Sequence, residues 1–192
     1  MTRQEKTHLI ESCIGKKQLV RMFFKYEKPY WYYYPNAVND QFILGQEEDD
    51  FLLDGYHIRR IKDLVKAEIK DDLCAQINIW NGTVNGINNP GIDISSWQSI
   101  FRSLVLQNTC VIIKDDYNES YAIGYVRKAC DRYLLLNSFD ADGMFNNKPI
   151  KIPYSRITHL AWKTRYAENW HQYLKNHFKL PSAISRLFLS DQ

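Results

Sequence analysis

Apolar and polar positions alternate over short stretches along much of this chain, and polar turns punctuate them. Gln18-Leu-Val-Arg-Met-Phe-Phe-Lys-Tyr26 predicts a strand, Glu27-Lys-Pro-Tyr30 a turn and Trp31-Tyr-Tyr-Tyr34 a second strand, because alternation and aromatic residues suit a half-buried pleated surface. Val65-Lys-Ala-Glu-Ile-Lys70 predicts a further strand, as do Cys110–Lys114, Tyr121–Val126 and Thr158–Trp162. The spacing turns helical in three places. Leu9, Ile10, Cys13 and Ile14 follow the capping box Thr2-x-x-Glu5 and stop at Gly15. Trp97, Ile100, Phe101, Leu104 and Val105 follow Ser95-x-x-Gln98, a second capping box. Tyr166, Trp170, Tyr173, Leu174 and Phe178 make a third apolar face.

One pattern occurs twice. Asp40-Gln-Phe-Ile-Leu-Gly45 leads through an acidic stretch into Gly55-Tyr-His-Ile-Arg-Arg-Ile-Lys-Asp-Leu64, and Asp131-Arg-Tyr-Leu-Leu-Leu136 leads into Lys148-Pro-Ile-Lys-Ile-Pro-Tyr-Ser-Arg-Ile157. Asp40 matches Asp131, Phe42 matches Tyr133, Ile58 matches Ile150 and Leu64 matches Ile157, with an offset that drifts from 91 to 93 residues. Each copy reads as a bent hairpin, so the chain uses one hairpin design twice. Between the copies, residues 75–92 are rich in Asn and Gly and end near Pro90, a composition that favours turns and predicts a linker. Ile77, Ile79 and Trp80 inside it are expected to dock on a neighbouring surface.

Composition changes this picture little. Apolar residues are 45% and charged residues 24% of the 192 positions, ordinary for a folded domain. The net charge is +3; residues 1–74 hold 12 Lys/Arg against 13 Asp/Glu and the remainder 13 against 9, so the excess lies wholly in the second part. That falls short of a strongly basic nucleic-acid footprint. The four cysteines are scattered with no C-x-x-C pair, which argues against a zinc site or a disulfide framework. The polar start and the lack of a long apolar run point to a cytoplasmic protein away from membranes.

A helix followed by five short strands with polar turns is the layout of a small, strongly bent barrel. Asp93-Ile-Ser-Ser-Trp97, Ile123-Gly-Tyr-Val126, Phe139-Asp-Ala-Asp-Gly143 and Ile157–Tyr166 together resemble uncharacterised Firmicutes proteins with tandem Sm-like (SH3-like barrel) domains, and Asp54–Leu64 is similar to the matching segment of their first unit. The resemblance implies a mainly β fold. It comprises a first Sm-like barrel over 1–74, a linker over 75–92, and a second barrel with a C-terminal helix over 93–192, each barrel opening with a short helix. The wider Sm family binds RNA and forms rings. Gly124 and Asp131 look like the first two residues of its RNA motif, whereas the base-reading place falls on the apolar Leu134 or Leu135.

The candidate RNA-binding residues are Trp31 and Tyr32, as stacking rings, with Arg127, Lys128, Arg132, Lys148 and Lys151 as phosphate contacts. Against this stand a core role for the rings and a solvated role for the charges. Glu47-Glu-Asp-Asp50 with Asp54, and Asp140 with Asp142, read as turn chemistry rather than cation loops, since neither fits the spacing of an EF-hand. His57, His159, His171 and His177 are too dispersed to form a ligand set and read as structural. Glycine-rich phosphate loops, nucleophile elbows and H-E-x-x-H are missing, so no enzyme, metal or cofactor is expected. The expected function is a binding or assembly module whose partner is a protein or its own copies, with RNA as the alternative. Ile184, Leu187 and Phe188 are the candidate assembly contacts.

Overall fold

The computed structural model describes residues 2–177, in which ten antiparallel strands join in one hydrogen-bonded sheet. The strands are β1 (Leu19–Phe24), β2 (Trp31–Val38), β3 (Phe42–Asp49), β4 (Leu52–Arg60), β5 (Leu64–Lys70), β6 (Cys110–Asp115), β7 (Ser120–Ala129), β8 (Tyr133–Ser138), β9 (Ile150–Pro153) and β10 (His159–Trp162). Their order is β5-β1-β2-β3-β4-β10-β6-β7-β8-β9. The mainly β character is as expected. Two separately closed barrels are not: the pairing is one open sheet, and β4 takes β10 as its neighbour. The physical reason lies in β4 itself. Tyr56 and Ile58 project from its second face and are buried at 5% and 0% exposure, so that face needs a cover, which the second half provides.

The repeat seen in the sequence is a repeat of register. Val20↔Tyr33 recurs 91 residues later as Val111↔Gly124, and Ile43↔Arg59 recurs as Leu134↔Ile152. The bulge between Pro35 and Ala37 in β2 recurs between Val126 and Lys128 in β7. Leu44↔Ile58 recurs as Leu135↔Lys151, so Ile58 corresponds to Lys151 and not to Ile150. The difference arises at the turn. The first hairpin closes through Asp50 and Phe51, both left-handed (φ 50° and 64°), as a two-residue turn requires. The second runs through a longer loop braced by Asp140, whose Oδ1 accepts from the Asp142 and Met144 amides.

A helix opens each half. α1 (Arg3–Cys13) begins with the Thr2–Glu5 capping box and inserts Ile10 and Cys13 into the first core. α3 (Trp97–Gln107) inserts Ile100, Phe101 and Leu104 into the second. Its cap is Ser96, which accepts from the Ser99 amide, one residue later than the Ser95 box expected. Residues 75–92 are more ordered than their composition suggests. α2 (Leu73–Trp80) is capped by Asp72, and Ala75 and Val84 pack with Leu19 and Tyr34. Ile79 and Trp80, expected to dock, are exposed. α4 (Arg165–His177) buries Ala167 and Leu174 against Cys110, Tyr125 and Phe139, while Tyr166 and Tyr173 lie on its exposed side.

The larger core crosses the boundary between the halves. Phe42, Leu44, Tyr56 and Ile58 of the first half pack with Ile100, Phe101, Leu134, Leu160 and Trp162 of the second. β3 and β4 are therefore covered on both faces, which explains the unbroken burial of Phe42 to Glu48.

Candidate functional site

The candidate site is the joint between the halves together with the two strand edges left free. At the joint, Arg59, Ile58, His57 and Tyr56 face His159, Leu160, Ala161 and Trp162 in turn. The Tyr56 and Trp162 rings stack across it at 5.3 Å. Gly55 is left-handed (φ 77°), and a Cβ there would meet the Lys163 and Thr164 backbone at 2.5 Å, so only glycine allows this approach. Arg165 then ties the start of α4 to the first hairpin through Asp49 (2.5 Å) and Asp54 (3.3 Å). At the far end, Arg60 binds Asp63 and the Ser155 carbonyl, and the Tyr26 and Tyr117 rings meet at 4.2 Å.

One face of this joint is polar although it is buried. His57 Nδ1 lies 2.8 Å from His159 Nε2, and His57 Nε2 lies 3.0 Å from the Asp54 carbonyl. A carbonyl only accepts, so His57 carries its proton on Nε2 and, when neutral, accepts at Nδ1 from His159 Nε2–H. His159 Nδ1 is then a bare acceptor, without a hydrogen-bond partner among the described residues. Glu47 Oε2 sits 3.4 Å from His57 Nδ1 and accepts from the Tyr33 hydroxyl at 2.9 Å. Burial pushes Glu47 up to about 7 against the pull of the Tyr33 hydrogen bond. Burial also lowers His57 to about 4 and His159 well below its ordinary range. Next to them Arg59 pairs with Glu27 and lies over the Phe24 ring at 4.0 Å. A buried ion pair of this kind is costly to break by removing one partner.

Among the described residues, the two free edges are β5, paired only to β1, and β9, paired only to β8. Val65 and Ile69 of β5 are 53% and 39% exposed. β9 is short, and Pro149 and Pro153 bound it. A cavity of about 230 Å³ opens beside β9, between Ile150–Pro153 and the end of the β6–β7 hairpin, where Arg156 pairs with Asp115 at 2.7 Å.

The residues expected to bind RNA divide into two groups that the sheet keeps apart. Trp31 and Tyr32 lie on β2, with β3, β4, β10 and β6 between them and β7 in the strand order. Trp31 packs on the first core and Tyr32 against the Leu19–Tyr34 cluster, so both are only partly exposed. Arg127, Lys128, Arg132, Lys148 and Lys151 are all exposed on the β7–β9 side. Lys128, Leu135 and Lys151 stand in one row across β7, β8 and β9, and the Lys151 ammonium lies 4.1 Å over the Tyr133 ring. Ile184, Leu187 and Phe188, together with Phe178, lie outside the described residues. The acidic stretches serve the fold: Glu48 accepts from the Phe51 amide, and Asp49 and Asp54 hold Arg165. Among the described residues, no group of three or more His, Cys, Asp or Glu is arranged to hold a metal ion, and no helix is long and apolar enough to cross a membrane.

Sequence reasoning missed the pairing of His57 with His159. The two are 102 residues apart, and only the β4–β10 contact, which no local pattern announces, brings them together. Comparisons with protein-family models, with curated proteins and with solved structures find no match to this chain.

Proposed function

We propose that this chain is a non-enzymatic cytosolic assembly module, built from two Sm-like units in tandem, that self-associates by strand addition at β5 and β9. The observation that supports this reading is the internal joint. In the repeated register β4 corresponds to β9 and β10 corresponds to β5, so the β4–β10 contact is the within-chain form of a contact available between β9 of one copy and β5 of the next. Unpaired strand edges carry free N–H and C=O groups that favour such pairing. Carrying the internal register over sets Ile152 opposite Lys66 and Lys151 opposite Ala67, as Arg59 faces His159 and Ile58 faces Leu160. The exposed Val65 and Ile69 supply apolar surface on one side. The prolines that bound β9 keep the edge short and limit other pairings. The contact is head-to-tail, so it gives rings if the rotation closes and filaments if it does not.

Cross-linking tests the register. In a background with Cys74 and Cys130 changed to Ser, Lys66→Cys and Ile152→Cys place two thiols opposite each other, within disulfide reach for a directly paired position. Mild oxidation of the mixed single variants should give a covalent dimer, and the double variant should give longer species. Equal yields from Lys66→Cys alone would contradict the pairing.

A further inference from the structure

The buried polar face of the joint is a second feature, independent of self-association. On the other face of the joint, Ile58, Leu160 and Trp162 are buried in the shared core. Yet Tyr33, Glu47, His57 and His159 line this face, deep in the molecule, in a chain of contacts at 2.9, 3.4 and 2.8 Å. The chain crosses the joint at one link only, His57 to His159. That link fixes the protons. With Nε2–H of His57 given to the Asp54 carbonyl, the His57–His159 contact is an ordinary hydrogen bond with two protons on the four ring nitrogens, a charge-assisted one with three, and is lost with four. Both rings fully protonated would aim two N–H groups at each other.

The surroundings reinforce this. Arg59 neighbours both rings, and Lys114 on β6 adds a second positive charge, so each opposes a charged imidazole. Negative groups on the other side are the Asp54 carboxylate, and Glu27 and Asp116 facing Arg59. We propose that Tyr33, Glu47, His57 and His159 form a proton-operated clasp, which holds β4 to β10 while both imidazoles are neutral and releases that joint when they become charged.

The direction of the pH effect follows from who holds which proton. His57 lies at about 4 in the fold against 6.5 ordinarily, and His159 is lowered too, so their contribution is full above 6.5 and is lost as pH falls. Glu47 lies at about 7 against 4.5, so its contribution is full below 4.5 and is lost as pH rises towards 7. Between 4.5 and 6.5, unfolding therefore takes up two histidine protons and releases one from Glu47. The cluster's net share is one proton, about tenfold in the folding constant per pH unit.

Two variants separate these parts in denaturant unfolding of the full chain across that range. Glu47→Gln removes the opposing proton, so its fall on acidification should be steeper than wild type by about tenfold per pH unit. His57→Gln/His159→Gln removes both uptakes, so its slope should differ from wild type by about a hundredfold per pH unit in the other direction. If the double variant does not fold, Glu47→Gln still decides. Hydrogen exchange locates the effect: between pH 7 and 5, protection corrected for intrinsic rates should fall more at residues 56–59 and 159–162 than in β1 and β2. Slopes indistinguishable from wild type, or protection lost evenly over all strands, would overturn the clasp.

Discussion

Trp162 shows how much one side chain contributes where the two halves meet. It is fully buried, stacks on Tyr56 across the joint and belongs to the core that both halves build. Trp162→Ala is expected to cost ~3–5 kcal/mol, read from the urea midpoint. Trp80→Ala, at a ring 86% exposed, should stay within ~0.5 kcal/mol. Residues differ in how far their role was legible. Gly124, read as the glycine of an RNA motif, sits inside β7, where a Cβ would run into the Asn137 carbonyl. Gly55 opens the second run of the first repeat copy, and its constraint is the distant Lys163–Thr164 backbone, which the local sequence does not display. The histidines were read as structural from their dispersal alone; their pairing depends on a strand contact that sequence spacing does not encode.

At the scale of elements, period was the reliable signal and composition the misleading one. β1, β2, β5, β6 and β10 follow from alternation, and α1 and α3 from apolar residues at helical spacing behind a cap. α2 was hidden, because its short apolar run Leu73–Trp80 stands beside a block of Asn and Gly that reads as a linker. α4 was expected from the face Tyr166, Trp170, Tyr173, Leu174 and Phe178; Leu174 is buried as that face requires, together with Ala167, whereas Tyr166 is 52% exposed. Trp170 packs on Phe139 at 5.1 Å beside Ala167, while Tyr166 lies on the exposed side. Leu174→Ala should therefore destabilise by ~2–5 kcal/mol, the usual range for a buried leucine. Tyr166→Ala should cost well under ~1 kcal/mol, as surface changes usually do. Thermal melting of the two variants side by side checks the assignment, and the reverse ranking would place α4 on the wrong face.

For the whole molecule, the tandem repeat was legible and the way its copies join was not. The offset of 91 to 93 residues is a property of the chain, whereas the β4–β10 contact depends on which edge of each unit is left open. A shared core and a continuous sheet make one expectation distinct from that of beads on a string. If a protease site is inserted after Asn89 and cut, the two pieces should elute together in native buffer and part only in denaturant, because parting would expose Phe42, Leu44, Tyr56 and Ile58. Elution as two separate species would show that the joint does not hold.

The pairing that makes the joint is also open, among the described residues, at β5 and β9. The most direct test is the mass of the full chain in solution by sedimentation equilibrium over a wide concentration range. Self-association through β5 and β9 should give a mass that rises with concentration to a multiple of the 22.8 kDa chain. A mass that stays at 22.8 kDa up to the highest concentration reached would contradict it.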